Sequence, residues 1–335
     1  MNKVRNKSVL LPQPISIEAI ELLKREGFEI IEAESKDIKT VKELIKNVDA
    51  VILRTGIEMD SNLLSNADSL VTISRTGAGL DNIDIRKATE KEIIVTSSIG
   101  ANTTSVAEHA LALILGFNKA IIKLDKAVRS NNFSERYKYY PEDVLNKSLG
   151  IVGFGKIGKK VVEYFTPFTQ SEIYVYDPII SESNRQKYKE KVTFLSKDEL
   201  FKKADIVSLH VPLNSHTKHL VSLKELKSMK NSAIIINTSR GGVINEKDLI
   251  EALKKNMIRG AALDVFSEEP PDKDNLLLKM DNVILTPHSA ALTKECSVRM
   301  ATKAAERVID LFNNKKPDHI ANPEVLKSKK WENLI

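Results

Sequence analysis

Only one of the 335 residues is a cysteine, Cys296. That excludes an internal disulfide and suits a reducing, cytoplasmic setting. No neighbour of Cys296 would activate a thiolate, so a small, partly buried side chain is expected there rather than a nucleophile. Neither sign of charge dominates: 51 basic and 45 acidic residues are interspersed to a net +6, which argues against a nucleic-acid face but leaves anionic substrates compatible. Long apolar runs are missing as well. The amino terminus from Met1 to Lys7 is basic, but the apolar stretch after it stops at Pro12 and Pro14 without a small-residue cleavage site. Neither a signal peptide nor a membrane span is therefore expected. There is no internal repeat and no low-complexity tract, and no His, Cys, Asp and Glu spacing suited to a metal.

What remains is ordinary globular material, 42% hydrophobic and 29% charged, long enough for two domains. Short β-like runs alternate with helical periodicity throughout, the pattern of a parallel α/β architecture. One block has candidate strands at 8–11, 28–31, 50–53, 71–74 and 93–95, with a helix from Ile17 to Glu26 among its connections. The cluster Asn102-Thr103-Thr104-Ser105 caps one long apolar helix predicted to run from Val106 to about Ala127. Beyond it a second block carries strands at 149–152, 172–176, 192–194, 206–210, 233–237, 260–264 and 283–286. Their nearly continuous apolar character fits strands covered on both faces. An amphipathic helix at about Thr293 to Asn313 is predicted to cross back to the first block, and the proline-punctuated tail from Asn314 to Ile335 to lie on it.

The most informative stretch is Gly153-Phe154-Gly155-Lys156-Ile157-Gly158, which follows the apolar Ser148-Leu149-Gly150-Ile151-Val152. In a strand–turn–helix setting Gly153 permits a tight turn, Gly155 lets backbone approach a pyrophosphate, and Gly158 lets the helix pack closely on the strand. The helix N-terminus then offers free N–H groups to phosphates. Asp177 ends the next apolar run, Glu172 to Tyr176, about 20 residues on. A carboxylate there accepts hydrogen bonds from ribose hydroxyls and repels a 2′-phosphate, which favours NAD over NADP.

Oxidising or reducing an alcohol carbon with such a cofactor needs an acid/base, a group that sets its protonation, and a fixed charge to orient the substrate. Candidates lie at strand carboxyl ends, where ligands bind in such sheets. His288, in Thr286-Pro287-His288, is the acid/base. Glu269 is placed to accept from the other ring nitrogen and fix the tautomer, presenting a proton to a carbonyl oxygen. Arg240 offers a planar charged fork for a carboxylate. Each alone also fits an ordinary loop residue, but together they specify a 2-keto or 2-hydroxy acid. His210 is expected to border the cofactor, His109 to pack within its helix, and His216, His219 and His319 to be solvated.

The ordered set Thr76-Gly77-Ala78-Gly79-Leu80-Asp81-Asn82-Ile83-Asp84, Ser105-Val106-Ala107-Glu108, Gly153 to Gly158, His210-Val211-Pro212-Leu213, Asn237 to Gly242, Leu263 to Phe266 with Glu269-Pro270, and Thr286-Pro287-His288 resembles the D-2-hydroxyacid dehydrogenases over nearly the whole chain. The resemblance implies two doubly wound parallel-sheet domains. One is a flavodoxin-like substrate domain from residues 1–101 and 291–335, the other a Rossmann-type NAD domain from 102–290. An active site in the cleft between them and a homodimer joined through the NAD domain are also implied. Roles follow by match: catalysis for Arg240, Glu269 and His288, and NAD contacts for Thr104, Gly153, Gly155, Lys156, Ile157, Gly158, Asp177, His210, Val211, Pro212, Thr238 and Asp264. Asp264 would hold the nicotinamide amide. Gly77, Ala78 and Gly79 would hold the substrate carboxylate with Arg240 and His288.

Within the family the chain is most similar to short-form D-3-phosphoglycerate dehydrogenases. Arg54 and Arg75 match arginines that face substrate there, and two arginines suit a phosphate; structural arginines beside the loop are the other reading. Hydroxypyruvate or glyoxylate reductase is the nearest alternative, and an NAD-sensing corepressor-like binding protein is the alternative of another class. The extra C-terminal regulatory domain that many phosphoglycerate dehydrogenases carry is not expected, which puts serine feedback in doubt.

Overall fold

A computed structural model describes residues 7–334; the basic stretch 1–6, read above for a leader, and residue 335 lie outside the described residues. The chain divides into two compact units. One takes the described residues up to Asn102 and those from Leu292 onward, and the other is Thr103–Ala291.

In the first unit, strands β1 (Ser8–Leu11), β2 (Glu29–Glu32), β3 (Ala50–Leu53), β4 (Thr72–Arg75) and β5 (Ile94–Ser97) form a parallel sheet in the order β2-β1-β3-β4-β5. This is the flavodoxin-like doubly wound order. Four of the five strands are buried at every position; β1 and β3 read as apolar runs, whereas β4 and β5 bury the polar side chains of Thr72, Ser74, Arg75, Thr96 and Ser97. The edge strand β2 is the exception, with glutamates at both ends. One face is closed by the helices Ile17–Arg25 and Lys294–Phe312, and Ala301, Ala304, Ala305 and Val308 of the second join Val9, Leu11, Leu23 and Ile52 in one core. Small alanine side chains let that helix lie close enough for Ser74 Oγ to donate to the Ala304 carbonyl at 2.9 Å. The tail is tied down rather than draped. Ile320 pairs with Thr96, and the fully buried Asn322 amide accepts from the Val95 N–H and donates to the Ile93 carbonyl, both at 2.9 Å.

The second unit holds β6 (Leu149–Val152), β7 (Ile173–Tyr176), β8 (Thr193–Phe194), β9 (Ile206–Leu209), β10 (Ile234–Asn237), β11 (Gly260–Leu263) and β12 (Val283–Leu285). All are parallel, in the order β12-β11-β10-β9-β6-β7-β8. That is the Rossmann order with one strand added, and the order reverses between β6 and β9. Neighbouring residues face opposite cores: Ile151, Ile234 and Ile236 enter one, Val152 and Ile235 the other.

The long helix predicted from Val106 to about Ala127 is instead two, Thr103–Asn118 and Ile121–Arg129, bent by 61°. No proline marks the break, and Gly116 lies within the last turn of the first helix rather than at the junction. Tertiary bonds hold it: the Asn118 carbonyl accepts from the Glu142 N–H at 2.8 Å and its Oδ1 from the Arg259 guanidinium at 2.6 Å, while Ala120 adopts φ 49°. Among the described residues no single helix is long and apolar enough to cross a membrane.

Candidate functional site

The order reversal at β6 and β9 is where the glycine loop lies. Gly153 has φ +92°, and a Cβ there would sit 2.5 Å from the His210 carbonyl oxygen, so the two strand ends approach only because the side chain is absent. A Cβ on Gly158 would come within 2.2 Å of the Gly153 carbonyl oxygen, which enforces the close helix–strand packing. Gly155 differs: nothing lies within 4 Å of its Cβ position, leaving an open cradle at the N-terminus of the helix Lys156–Phe165. This open face fits a pyrophosphate. Asp177, just past β7, accepts from the Phe154 N–H at 2.8 Å and the Ile179 N–H at 3.0 Å, and its remaining lone pairs are available to hydroxyl donors. Thr238 Oγ1, beyond β10, is buried without a hydrogen-bond partner, as a side chain awaiting a ligand would be. His210 bonds Ser208 Oγ at 2.9 Å, and burial pushes its imidazole down to about 3, so it sits neutral beside the loop.

Three further strand ends bring the acid/base candidates together. His288 Nδ1 lies 2.6 Å from Glu269 Oε2, with 37% and 34% of the two side chains exposed. Burial alone would raise the Glu269 carboxyl. Hydrogen bonds from His288 and the Phe266 N–H, with positive charge on His288 and Arg240, outweigh it and hold the group below its ordinary value. An ionised carboxylate only accepts, so Nδ1 carries the proton and Nε2 is left for a substrate. Gly241 explains the approach of Arg240: a Cβ there would overlap the Phe266 carbonyl at 1.9 Å, so only glycine lets the Arg240 loop lie against the loop leading to Glu269.

Asp264, fully buried at the end of β11, anchors the His288 segment. Its backbone carbonyl accepts from the His288 N–H at 2.7 Å. Its carboxylate accepts from Thr286 Oγ1 at 2.6 Å and from the Ser289 and Ala290 N–H groups, both at 2.9 Å. His109 does not simply pack within its helix: Nε2 reaches Thr286 Oγ1 at 3.0 Å and stands 3.5 Å from Asp264. Sequence reasoning missed this link, since the partners are 177 positions apart.

The expected substrate arginines lie in the first unit. Arg75 is 6% exposed, and its guanidinium donates to Thr55 Oγ1 at 2.7 Å, Asn82 Oδ1 at 3.3 Å and the Leu53 carbonyl at 3.4 Å. Gly77 makes room for it, with a Cβ position only 3.2 Å from Arg75 Nη1. Arg54 is half-buried and donates to the Pro14 carbonyl at 2.7 Å. Ala78 and Gly79 follow in the same partly exposed loop, and Thr104 lies in the first turn of Thr103–Asn118. Lys156 and Ile157 open the helix after the glycine loop, and Val211 and Pro212 follow His210.

The chain is similar to known proteins along most of its length. The family model for the D-isomer specific 2-hydroxyacid dehydrogenase, NAD binding domain, matches residues 111–290. A glyoxylate reductase of Thermofilum pendens is 36% identical, over 97% of this chain and 96% of its own length. A D-3-phosphoglycerate dehydrogenase of Methanocaldococcus jannaschii is 37% identical over 94% of this chain, which spans 59% of that relative. A solved protein of Thermus thermophilus superposes with a TM-score of 0.85 at 27% identity, over 94% of this chain and 99% of that one.

Proposed function

The chain belongs to the D-2-hydroxyacid dehydrogenase family and carries its NAD-binding domain, and from that premise we propose that it interconverts a D-2-hydroxy acid and its 2-keto acid. The observation that carries this is the 2.6 Å bond between His288 Nδ1 and Glu269, with the Arg240 charge beside it. Bound NAD supplies the hydride chemistry. His288 Nε2 gives a proton to the carbonyl oxygen in reduction and takes it from the hydroxyl in oxidation. Glu269 holds the ring in that tautomer, and Arg240 takes the substrate carboxylate. The Asp177 carboxylate favours NAD by repelling a 2′-phosphate.

For substrate we propose 3-phosphoglycerate and its keto acid, as in serine biosynthesis, with Arg54 toward the phosphate. A second reading, hydroxypyruvate or glyoxylate, is favoured by Arg75: its guanidinium is already held by Thr55, Asn82 and Leu53, so it acts as a strut of its own loop. Relatives of both names match, and this chain spans only 57% and 59% of two phosphoglycerate dehydrogenases. NADH oxidation measured across phosphohydroxypyruvate, hydroxypyruvate, glyoxylate and pyruvate tests both levels. Turnover of none removes the enzyme reading in favour of an NAD-sensing binding protein. If phosphate is recognised, Arg54→Ala raises KM for phosphohydroxypyruvate by about 10-fold or more and leaves that for hydroxypyruvate nearly unchanged; equal effects remove the phosphate assignment.

A homodimer built through Thr103–Ala291 is part of the proposal. The helix Ile121–Arg129 buries none of its residues, and Ile121, Ile122, Val128, Phe133, Tyr137 and Tyr140 are each more than half exposed. Such a concentration of apolar side chains marks an association surface. A reducing, cytoplasmic setting is proposed on the single free thiol of Cys296.

A further inference from the structure

Outside the acid/base pair, the His109 ring is bonded to the segment carrying His288. Thr286 Oγ1 stands 2.6 Å from Asp264 Oδ1, a distance that requires the single hydroxyl proton to lie between them. With that proton committed, the 3.0 Å contact from His109 to Thr286 Oγ1 is satisfied only if His109 Nε2 is the donor. The bonds therefore run in one direction, from the His109 N–H through the Thr286 hydroxyl to the Asp264 carboxylate. That carboxylate also receives the N–H groups of Ser289 and Ala290, on the carboxyl side of His288, and the Asp264 carbonyl receives the His288 N–H. His288 itself has φ 51°, the left-handed region, so the backbone bonds on either side of it decide where its ring points.

We propose that His109 is a positioning residue: through Thr286 and Asp264 it holds the 286–290 segment in the conformation that aims His288 at the reacting oxygen. The proposal rests on the dehydrogenase reading above. It attributes to the helix Thr103–Asn118 a part in the chemistry that no contact with substrate or cofactor requires. A role confined to helix packing would need only the bulk of the ring.

Wild type, His109→Leu, His109→Gln, Thr286→Val and the His109→Leu/Thr286→Val double variant are compared with NADH and the 2-keto acid that wild type turns over fastest, each with a thermal melt. His109→Leu should lose about 10- to 100-fold in kcat, with KM moving less than about threefold. His109→Gln, whose amide N–H can replace the Nε2 donor, should recover to within about fivefold of wild type. The double variant should be no worse than the poorer single one, because both cut the same chain of bonds. Unchanged kcat in His109→Leu, a glutamine variant as slow as the leucine one, or losses that multiply would each overturn the proposal. Nitrogen NMR of the imidazoles gives a readout that needs neither activity nor a variant. A proton on His109 Nε2 is expected, and a bare Nε2 overturns the directed chain. Wild-type protein inactive on every 2-keto acid sinks the dehydrogenase reading and leaves the NMR result to judge the bonding.

Discussion

His288 combines two features that rarely meet: left-handed backbone at φ 51° and a ring nitrogen bonded to a carboxylate 2.6 Å away. The combination guides the choice of variant. Asparagine tolerates φ above zero, so His288→Asn removes the titrating ring without adding backbone strain. It should lower kcat by about 10²- to 10⁴-fold, with NADH affinity by fluorescence titration within a few-fold of wild type. A variant keeping a tenth of the activity would exclude His288 as the acid/base. The meeting of His288 with Glu269 could be anticipated from sequence because each lies in the segment that follows a strand, on the side of a parallel sheet where ligands bind. The burial of Arg75 and the reach of His109 could not. The first depends on Asn82 and Thr55 closing over a guanidinium, the second on a partner 177 positions away.

At the scale of elements, the strands were legible because β1, β3 and β6 are apolar at nearly every position, and most of their ends fell within two residues of the expected ones. The break after Asn118 was not, because the competing hydrogen bond comes from Glu142 in a distant loop and neither residue breaks helices intrinsically. Caps are a local code, and one of them carries a charge whose contribution to stability depends on pH. Glu225 accepts from the Ser222 N–H at 2.9 Å and Ser222 Oγ at 2.7 Å at the start of Leu223–Ser228, and pairs with Lys197 at 2.8 Å. Burial would raise its carboxyl, but these partners lower it from 4.5 to about 2. A depressed carboxyl stabilises the fold at pH values above 4.5, and that contribution is lost as pH falls from 4.5 toward 2. Glu225→Gln should therefore cost on the order of 2 kcal/mol at pH 7 and progressively less below about pH 4.5. Urea melts at pH 7, 4 and 3 check it. A difference that does not narrow with acidity would show that the cap, not the charge, is at stake.

For the whole molecule, the exposed apolar residues around the helix Ile121–Arg129 set the expected assembly state. Sedimentation should give about twice the 37.5 kDa chain mass. Ile122→Asp, which places a charge on that face, should shift the protein toward monomer by at least about tenfold in dissociation constant. A monomeric wild type would remove the dimer. The other whole-chain feature is the order in which parts become available. Thr103–Ala291 is one uninterrupted stretch, whereas the first sheet is covered by alanines of Lys294–Phe312, nearly 200 residues beyond its last strand. On the ribosome, therefore, the amino-terminal strands emerge early and must wait with one face covered by Ile17–Arg25 alone while Thr103–Ala291 is synthesised and folds. A stall in translation before Lys294 would leave the apolar side chains of Val9, Leu11 and Ile52 without the alanines that cover them in the finished fold.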